Sequence, residues 1–321
     1  MRTALNVLFM IIDDLRVDPQ IQTPHTKALA ARGVEFTRCY CQLSLCSPSR
    51  SSVLTGMRPD STGVYDLITS WRDRLGHAHL SLPRVFREIG YGHVLSIGKV
   101  FHHPSKISSV ELGDPKAWTS PPQLCDTHPL YPPHSMQKNE FEVDNVFKRG
   151  VEKPAVASMR VEDEYFRDGV IAKTAVHTLS KLSKFQNVTS KSDAGRNYSA
   201  NWFLAVGFTK PHLPWVVPER YFSMYDRRGL AIAANPKRQL HAPRYALDRG
   251  AELLHFANLP ADPASLSESD QRHLRHGYYA SASFSDAMVG RITQALTDLN
   301  LWESTLCVLW SDVSALLCSN E

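Results

Sequence analysis

Apolar positions fall into two rhythms that take turns along this chain. Asn6 to Ile12 is an almost unbroken apolar run stopped by two aspartates, the pattern of a strand buried on both faces. Val94 to Val100, Trp202 to Phe208 and Leu306 to Trp310 are further segments of strand length, and Val34 to Cys41 reads as one more. Helical spacing runs between them. Thr26 to Arg32 predicts a short helix stopped by Gly33, Pro48 to Thr55 a helix ended by Gly56, and Leu82 to Ile89 a helix capped by Gly90. Glu162 to Leu182 carries apolar residues at Phe166, Val170, Ile171, Ala175, Leu179 and Leu182. Ser267, with Asp270 three residues on, predicts the cap of a helix through Tyr278, Tyr279, Phe284, Met288, Ile292 and Leu296. Strands alternating with helices predict an α/β fold with a mostly parallel central sheet flanked by helices.

Two stretches break the rhythm. Residues 104–154 are rich in proline and hold Trp118 and Tyr131; such a loop-rich excursion in an enzyme shapes a substrate cleft. Residues 187–201 are polar, carry the glycosylation sequons Asn187-Val188-Thr189 and Asn197-Tyr198-Ser199, and read as an exposed loop. There is no internal repeat. The first apolar run is too short to cross a membrane, and Met1 to Ala4 leads straight into it, so neither a membrane span nor a signal peptide is expected.

Composition narrows the classes. The 321 residues suffice for one large domain or two, and 43% hydrophobic with 21% charged residues is ordinary for a globular protein. A net charge of +4 with scattered basic residues favours anionic substrates mildly and gives no reason to expect nucleic acid. Six cysteines are too few for a disulfide scaffold, and Cys39, Cys41 and Cys46 fit no zinc spacing. Cys125, Cys307 and Cys318 read equally as buried thiols or disulfide partners.

The chemistry gathers at strand ends. These are Asp13-Asp14, Gly98-Lys99-Val100-Phe101-His102, Lys210-Pro211-His212 and Ser311-Asp312. Singly, each has a plain reading as a turn, a cap or a solvated loop. In an open α/β sheet, ligands bind beyond the carboxyl ends of the strands, so the four ends are expected to converge with the turn at Cys46.

That turn reads Ser44-Leu45-Cys46-Ser47-Pro48-Ser49-Arg50, followed by Thr55-Gly56. It resembles the C-x-P-S-R…T-G signature of type I sulfatases. The likeness extends through Leu5-Asn6-Val7-Leu8 and Asp13-Asp14-Leu15-Arg16, then Leu54 to Asp60 and Val64-Tyr65-Asp66. It continues in Gly98 to His102, Phe203 to Gly207 with Lys210-Pro211-His212, Tyr278 to Ser281 and Val289-Gly290-Arg291. Within the family it is most similar to the iduronate-2-sulfatase branch.

The resemblance implies an alkaline-phosphatase-like sandwich, with residues 1–312 as the N-terminal catalytic domain. It implies that a formylglycine-generating enzyme oxidises Cys46 to formylglycine, whose hydrate is the nucleophile. One calcium ion would be held by Asp13, Asp14, Asp312 and the modified Cys46. Arg50 would steady the formylglycine, Lys99 would contact sulfate, His102 would be the base that releases sulfate, and His212 would protonate the leaving oxygen. The implied substrate is sulfated uronic acid in heparan or dermatan sulfate, and a complete form would be lysosomal or secreted.

The pattern breaks after Asp312. The family has His or Asn next and then a sulfate-binding lysine, where this chain has Val313 and a divergent tail over 313–321. The C-terminal subdomain of the family is expected to be missing. In addition, Gly90-Tyr91 lies one residue farther from Gly98-Lys99 than the family spacing, His93 stands where Ser or Thr is usual, and the loop after Arg16 is shortened. Weak or absent activity is expected, from an incomplete sulfatase or from a non-catalytic protein that binds sulfated glycans. A phospho- or phosphonate-ester hydrolase would use Thr or Ser as nucleophile and two metals, and Cys46 argues against it.

Overall fold

Strand β1 (Asn6–Asp13) explains most of the architecture, because its side chains alternate between two apolar layers. Leu8, Met10 and Ile12 enter one hydrophobic cluster, and Val7, Phe9 and Ile11 enter another. A strand so covered on both faces needs helices on both sides of its sheet. The protein is described here by a computed structural model covering residues 5–102, 113–125, 154–185, 190–191, 197–232, 241, 253 and 266–313.

The remaining strands are β2 (Tyr91–Gly98), β3 (Val156–Met159), β4 (Ser190–Lys191), β5 (Asn197–Pro211), β6 (Trp215–Pro218) and β7 (Thr305–Ser311). The main sheet has the order β2-β5-β1-β7, all parallel, with β4 antiparallel to β5. A separate parallel pair joins β3 to β6. The helices are α1 (Pro24–Ala31), α2 (Cys46–Thr55), α3 (Pro59–Thr62), α4 (Trp71–Leu75), α5 (Leu82–Glu88), α6 (Arg167–Leu182), α7 (Glu219–Phe222) and α8 (Glu268–Asp298). On one face, α6 and α8 bury Ile171, Ala175, Leu179, Phe284, Met288 and Ile292 against Leu8, Met10 and the β5 residues Leu204, Val206 and Phe208. On the other, Leu54, Val64, Trp71 and Trp118 cover Val7, Phe9, Phe203 and Ala205. Each fully buried aliphatic side chain contributes about 1.5–3 kcal/mol, so these two layers dominate the stabilisation.

Local chemistry sets the element ends. Ser267 and Asp270 form a reciprocal capping box at the start of α8. Helix α2 starts at Cys46, two residues before the predicted Pro48; proline fits its first turn, where no intrahelical N–H bond is needed. Strand β2 lies three residues earlier than its apolar run suggested, and ends at Gly98 (φ 72°). The helix expected from Glu162 is a 3-10 turn over Asp163–Tyr165, an extended Phe166, and α6 proper.

Two expectations meet a different outcome. Val34 to Cys41 forms no strand: it pairs with no described strand, and Val34, Phe36 and Tyr40 are 78–79% exposed. Of the polar stretch 187–201, residues 197–201 open β5 and 190–191 form β4; the rest, with the Asn187 sequon, lies outside the described residues. Most of the 104–154 excursion, including Tyr131, and the tail beyond Val313 also lie outside them. The described part of the excursion packs Trp118 into the core and bridges Gln123 to Ile97.

The β2–β5 crossing is the tightest backbone contact near the strand ends. Gly98 pairs with Gly207, and a Cβ on Gly98 would stand 2.1 Å from the Gly207 carbonyl oxygen, one on Gly207 1.8 Å from that of Lys99. Gly56 also has positive φ (69°), but open space surrounds it. Gly56→Ala should therefore cost about 1–2 kcal/mol from backbone strain alone. Gly98→Ala should cost more than about 3 kcal/mol, because rigid backbone blocks the methyl group. Urea unfolding of both variants checks this, and equal losses would contradict it.

Candidate functional site

All four main strands run parallel, so their carboxyl ends lie along one edge of the sheet. The order β2-β5-β1-β7 sets Gly98-Lys99, Lys210-Pro211-His212, Asp13-Asp14 and Ser311-Asp312 side by side. Helix α2 starts beside them and presents Cys46 from its first turn. One carboxylate oxygen from each of Asp13, Asp14 and Asp312 lies within 4.8 Å of the others. The Cys46 sulfur, an Asp13 oxygen and a His212 ring nitrogen form a second such group. The structure thus brings five of the predicted site residues into direct proximity.

Arg50 joins them from below. Fully buried on α2, it donates from Nε to Asp312 Oδ2 at 2.6 Å and from Nη2 to Asp13 Oδ1 at 3.1 Å. Its Nη1 donates to the carbonyls of Lys99 and, at 3.1 Å, Val100. All three nitrogens are thereby committed to strand ends, so Arg50 acts on the site through Asp13 and Asp312. Lys99 pairs through Nζ with the other oxygen of Asp13. His212 holds Nε2 at 3.8 Å from Asp14 Oδ2. His102 lies beside α2, in a small cavity shared with Ser47, Ser51, Ser70, Trp71 and Phe101. The other predicted residues are linked directly to the carboxylates.

Several supporting residues escaped the sequence reading. Ser49 donates from Oγ to the Asp312 carbonyl at 2.5 Å, tying α2 to the end of β7. Tyr278 donates to the Asp14 carbonyl at 2.7 Å and accepts from the Arg16 amide at 2.8 Å. It thereby holds the chain where Asp14 adopts φ 64°, a region that favours glycine. Ser49 stands inside the Cys46 signature and Tyr278 inside the Tyr278-to-Ser281 likeness, but neither pattern reveals the hydrogen-bond partner.

The charges do not balance without help. Three carboxylates face two permanent cations, Arg50 and Lys99. Burial pushes Asp13 up, but Lys99 and Arg50 outweigh it and hold the carboxyl well below the usual range. Asp14 lacks such a partner, and burial with the neighbouring Asp13 charge raises it to about 7. Burial likewise raises Asp312, against the pull of Arg50. Burial, then the Asp13 charge, pushes the Cys46 thiol up, so it stays protonated. Clustered carboxylate oxygens, one of them lifted by like charge, suit a hard divalent cation such as calcium. Position 313 adds no side-chain donor: Val313 contributes only its amide, which donates to Asp312 Oδ1 at 2.8 Å.

Comparison with known proteins adds the following. A family model described as Sulfatase matches residues 6–317. Iduronate 2-sulfatase of Homo sapiens is 32% identical over 320 residues, which cover 96% of this chain and 54% of that protein. A sulfatase of Formosa agariphila is 27% identical over 328 residues, covering 96% and 58%. The chain thus spans just over half the length of these relatives. The crystal structure of a phosphonate monoester hydrolase from Silicibacter pomeroyi superposes with a TM-score of 0.68 at 20% identity, covering 98% of this chain and 63% of that one. The shared fold is the alkaline-phosphatase-like α/β sandwich.

The raised Asp14 sets a pH dependence. Its folded-state pKa lies above the unfolded value, so its favourable contribution is complete below about pH 4 and is lost as pH rises towards 7. A divalent cation opposes that loss. Added calcium should raise the melting temperature more at pH 7.5 than at pH 5.5, and Asp14→Asn should flatten both the pH trend and the calcium response. Calorimetry with and without a chelator checks this; an equal calcium shift in Asp14→Asn would contradict it.

Proposed function

Because the chain belongs to the sulfatase family, we propose that its strand-end site is built to hydrolyse sulfuric esters, here on a uronic acid of heparan or dermatan sulfate. The observation that carries the reading is the seating of Cys46 at the first turn of α2, within 4.8 Å of both an Asp13 oxygen and the His212 ring. The uronate assignment rests on likeness to iduronate 2-sulfatase at 32% identity.

A buried, protonated thiol is a poor nucleophile. Converted by a formylglycine-generating enzyme, position 46 would supply a hydrated aldehyde oxygen to attack sulfur. Calcium held by Asp13, Asp14 and Asp312 would supply positive charge against the sulfate oxygens. Arg50 pairs with Asp13 and Asp312 and fixes both in place. Lys99, whose side chain is 15% exposed beside Asp13, is placed to pair with a sulfate oxygen. His212 is the proton donor to the departing alcohol oxygen, and its side chain is a quarter exposed beside Asp14. His102 matches the family's base for sulfate release. A protein carrying this modification would be lysosomal or secreted.

Val313 supports a qualified version of this reading. Where the resemblance leads one to expect a donor, valine offers none, so turnover is slow. The same observation favours a second reading, a non-catalytic protein that retains the site to bind sulfated glycans. The test is to produce the chain with a formylglycine-generating enzyme, then combine mass spectrometry of the Cys46 peptide with a fluorogenic sulfate ester assay. An aldehyde at position 46 with slow hydrolysis is expected. Val313→His should raise the rate about tenfold or more, and Lys99→Ala should lower it about a hundredfold. An unmodified thiol with glycan binding and no hydrolysis, in parent and Val313→His alike, would replace the enzyme reading with the second.

A further inference from the structure

His212 stands in the turn that joins β5 to β6, within the segment Thr209–Trp215. Asp168 from α6 and two side chains of the segment itself grip it almost atom by atom. Asp168, in the first turn of α6 and 1% exposed, accepts from the Thr209 amide at 3.0 Å, the Thr209 hydroxyl at 2.6 Å and the Lys210 amide at 2.7 Å. Lys210, 3% exposed, folds its side chain back and donates from Nζ to the carbonyls of His212, at 3.4 Å, and Pro214. Trp215 donates from Nε1 to the Pro211 carbonyl at 2.7 Å. Inside the turn, the His212 amide donates to the Thr209 carbonyl at 3.1 Å, and His212 Nδ1 lies 2.8 Å from the Leu213 carbonyl oxygen.

A buried ammonium is an expensive way to fill space, and an apolar chain of similar length would pack there without the desolvation cost. What the ammonium adds is direction: it ties two carbonyls on either side of Leu213 to a point fixed by Asp168. We propose that Asp168 and Lys210 are positioning residues for His212, acting as one clamp that aims its Nε2 at Asp14 and the Cys46 turn. Asp168 fixes where the turn starts and Lys210 fixes how it closes. The catalytic consequence rests on the proposed role of His212 as proton donor; the geometric claim does not.

The experiment uses the full chain with labelled histidine, the His212 ring resonances being assigned by loss in His212→Gln. Lys210→Met and Asp168→Asn should each displace the His212 resonances while those of His25 stay in place. Thr209→Val, which removes only the hydroxyl bond to Asp168, should displace them less and in the same direction. Arg160→Ala, at an exposed pair with Glu219, serves as the control and should leave them unmoved. Where sulfate ester turnover is measurable, kcat should fall about tenfold or more with KM within about twofold. His212 resonances coinciding with the parent's in folded Lys210→Met and Asp168→Asn would overturn the proposal. Should those two fail to fold, an unmoved His212 in Thr209→Val overturns it alone. A parent that hydrolyses no sulfate ester defeats the functional reading, while the resonance comparison still decides this one.

Discussion

The Arg50 guanidinium is the interaction on which the rest of the site depends. It is fully buried, yet its donors reach the ends of β1, β2 and β7 through Asp13, the Lys99 and Val100 carbonyls, and Asp312. Removing one member of such a buried charge network typically costs about 3–5 kcal/mol, because the partners left behind are buried and uncompensated. Here the loss would also be geometric. Without the guanidinium, Asp13 and Asp312 would lose the cation they share and be left to Lys99 and to the Asp14 and Val313 amides. Lys99 reinforces the arrangement from the far side of Asp13, so the central carboxylate is gripped on both oxygens.

This explains an asymmetry among the three acids. Asp13 and Asp312 are paired with Arg50, whereas Asp14 lies beside His212, and its carboxyl is raised by burial and by the Asp13 charge. The site therefore combines a rigid interior half with a half that answers to protons or cations. On the proposed reading, sulfate chemistry suits that division: the interior would keep its charges fixed while the other half meets the substrate. The glycine pair at 98 and 207 serves the same end, since only a close β2–β5 crossing brings the Lys99 carbonyl within reach of Arg50.

Much of this was legible in the residues themselves, for physical reasons. Strands buried on both faces must be continuously apolar, so β1 and the middle of β5 stand out, and ligand chemistry must then follow where such runs stop. The signature around Cys46 marked Arg50, although not that its donors are all turned to strand ends. Other features left no trace. Asp168 looks like any polar residue in an amphipathic helix, and its partners are backbone amides that carry no sequence pattern. Lys210 was visible as part of Lys-Pro-His, but its carbonyl partners depend on how the turn closes. Val34 to Cys41 misled because its spacing suits a strand, while strand formation needs a neighbour, and no described strand pairs with it.

The burial of Cys46 also has a consequence in time. Cys46 is 7% exposed, and its neighbours come from both ends of the chain, Arg50 and Asp312 being 262 positions apart. Contacts of that separation close late, after the local helices have formed. Before β7 docks, the bonds from Ser49 and Arg50 to Asp312 are absent, and the Cys46 segment has fewer partners than afterwards. An enzyme acting on this thiol would meet a looser segment then than in the folded chain.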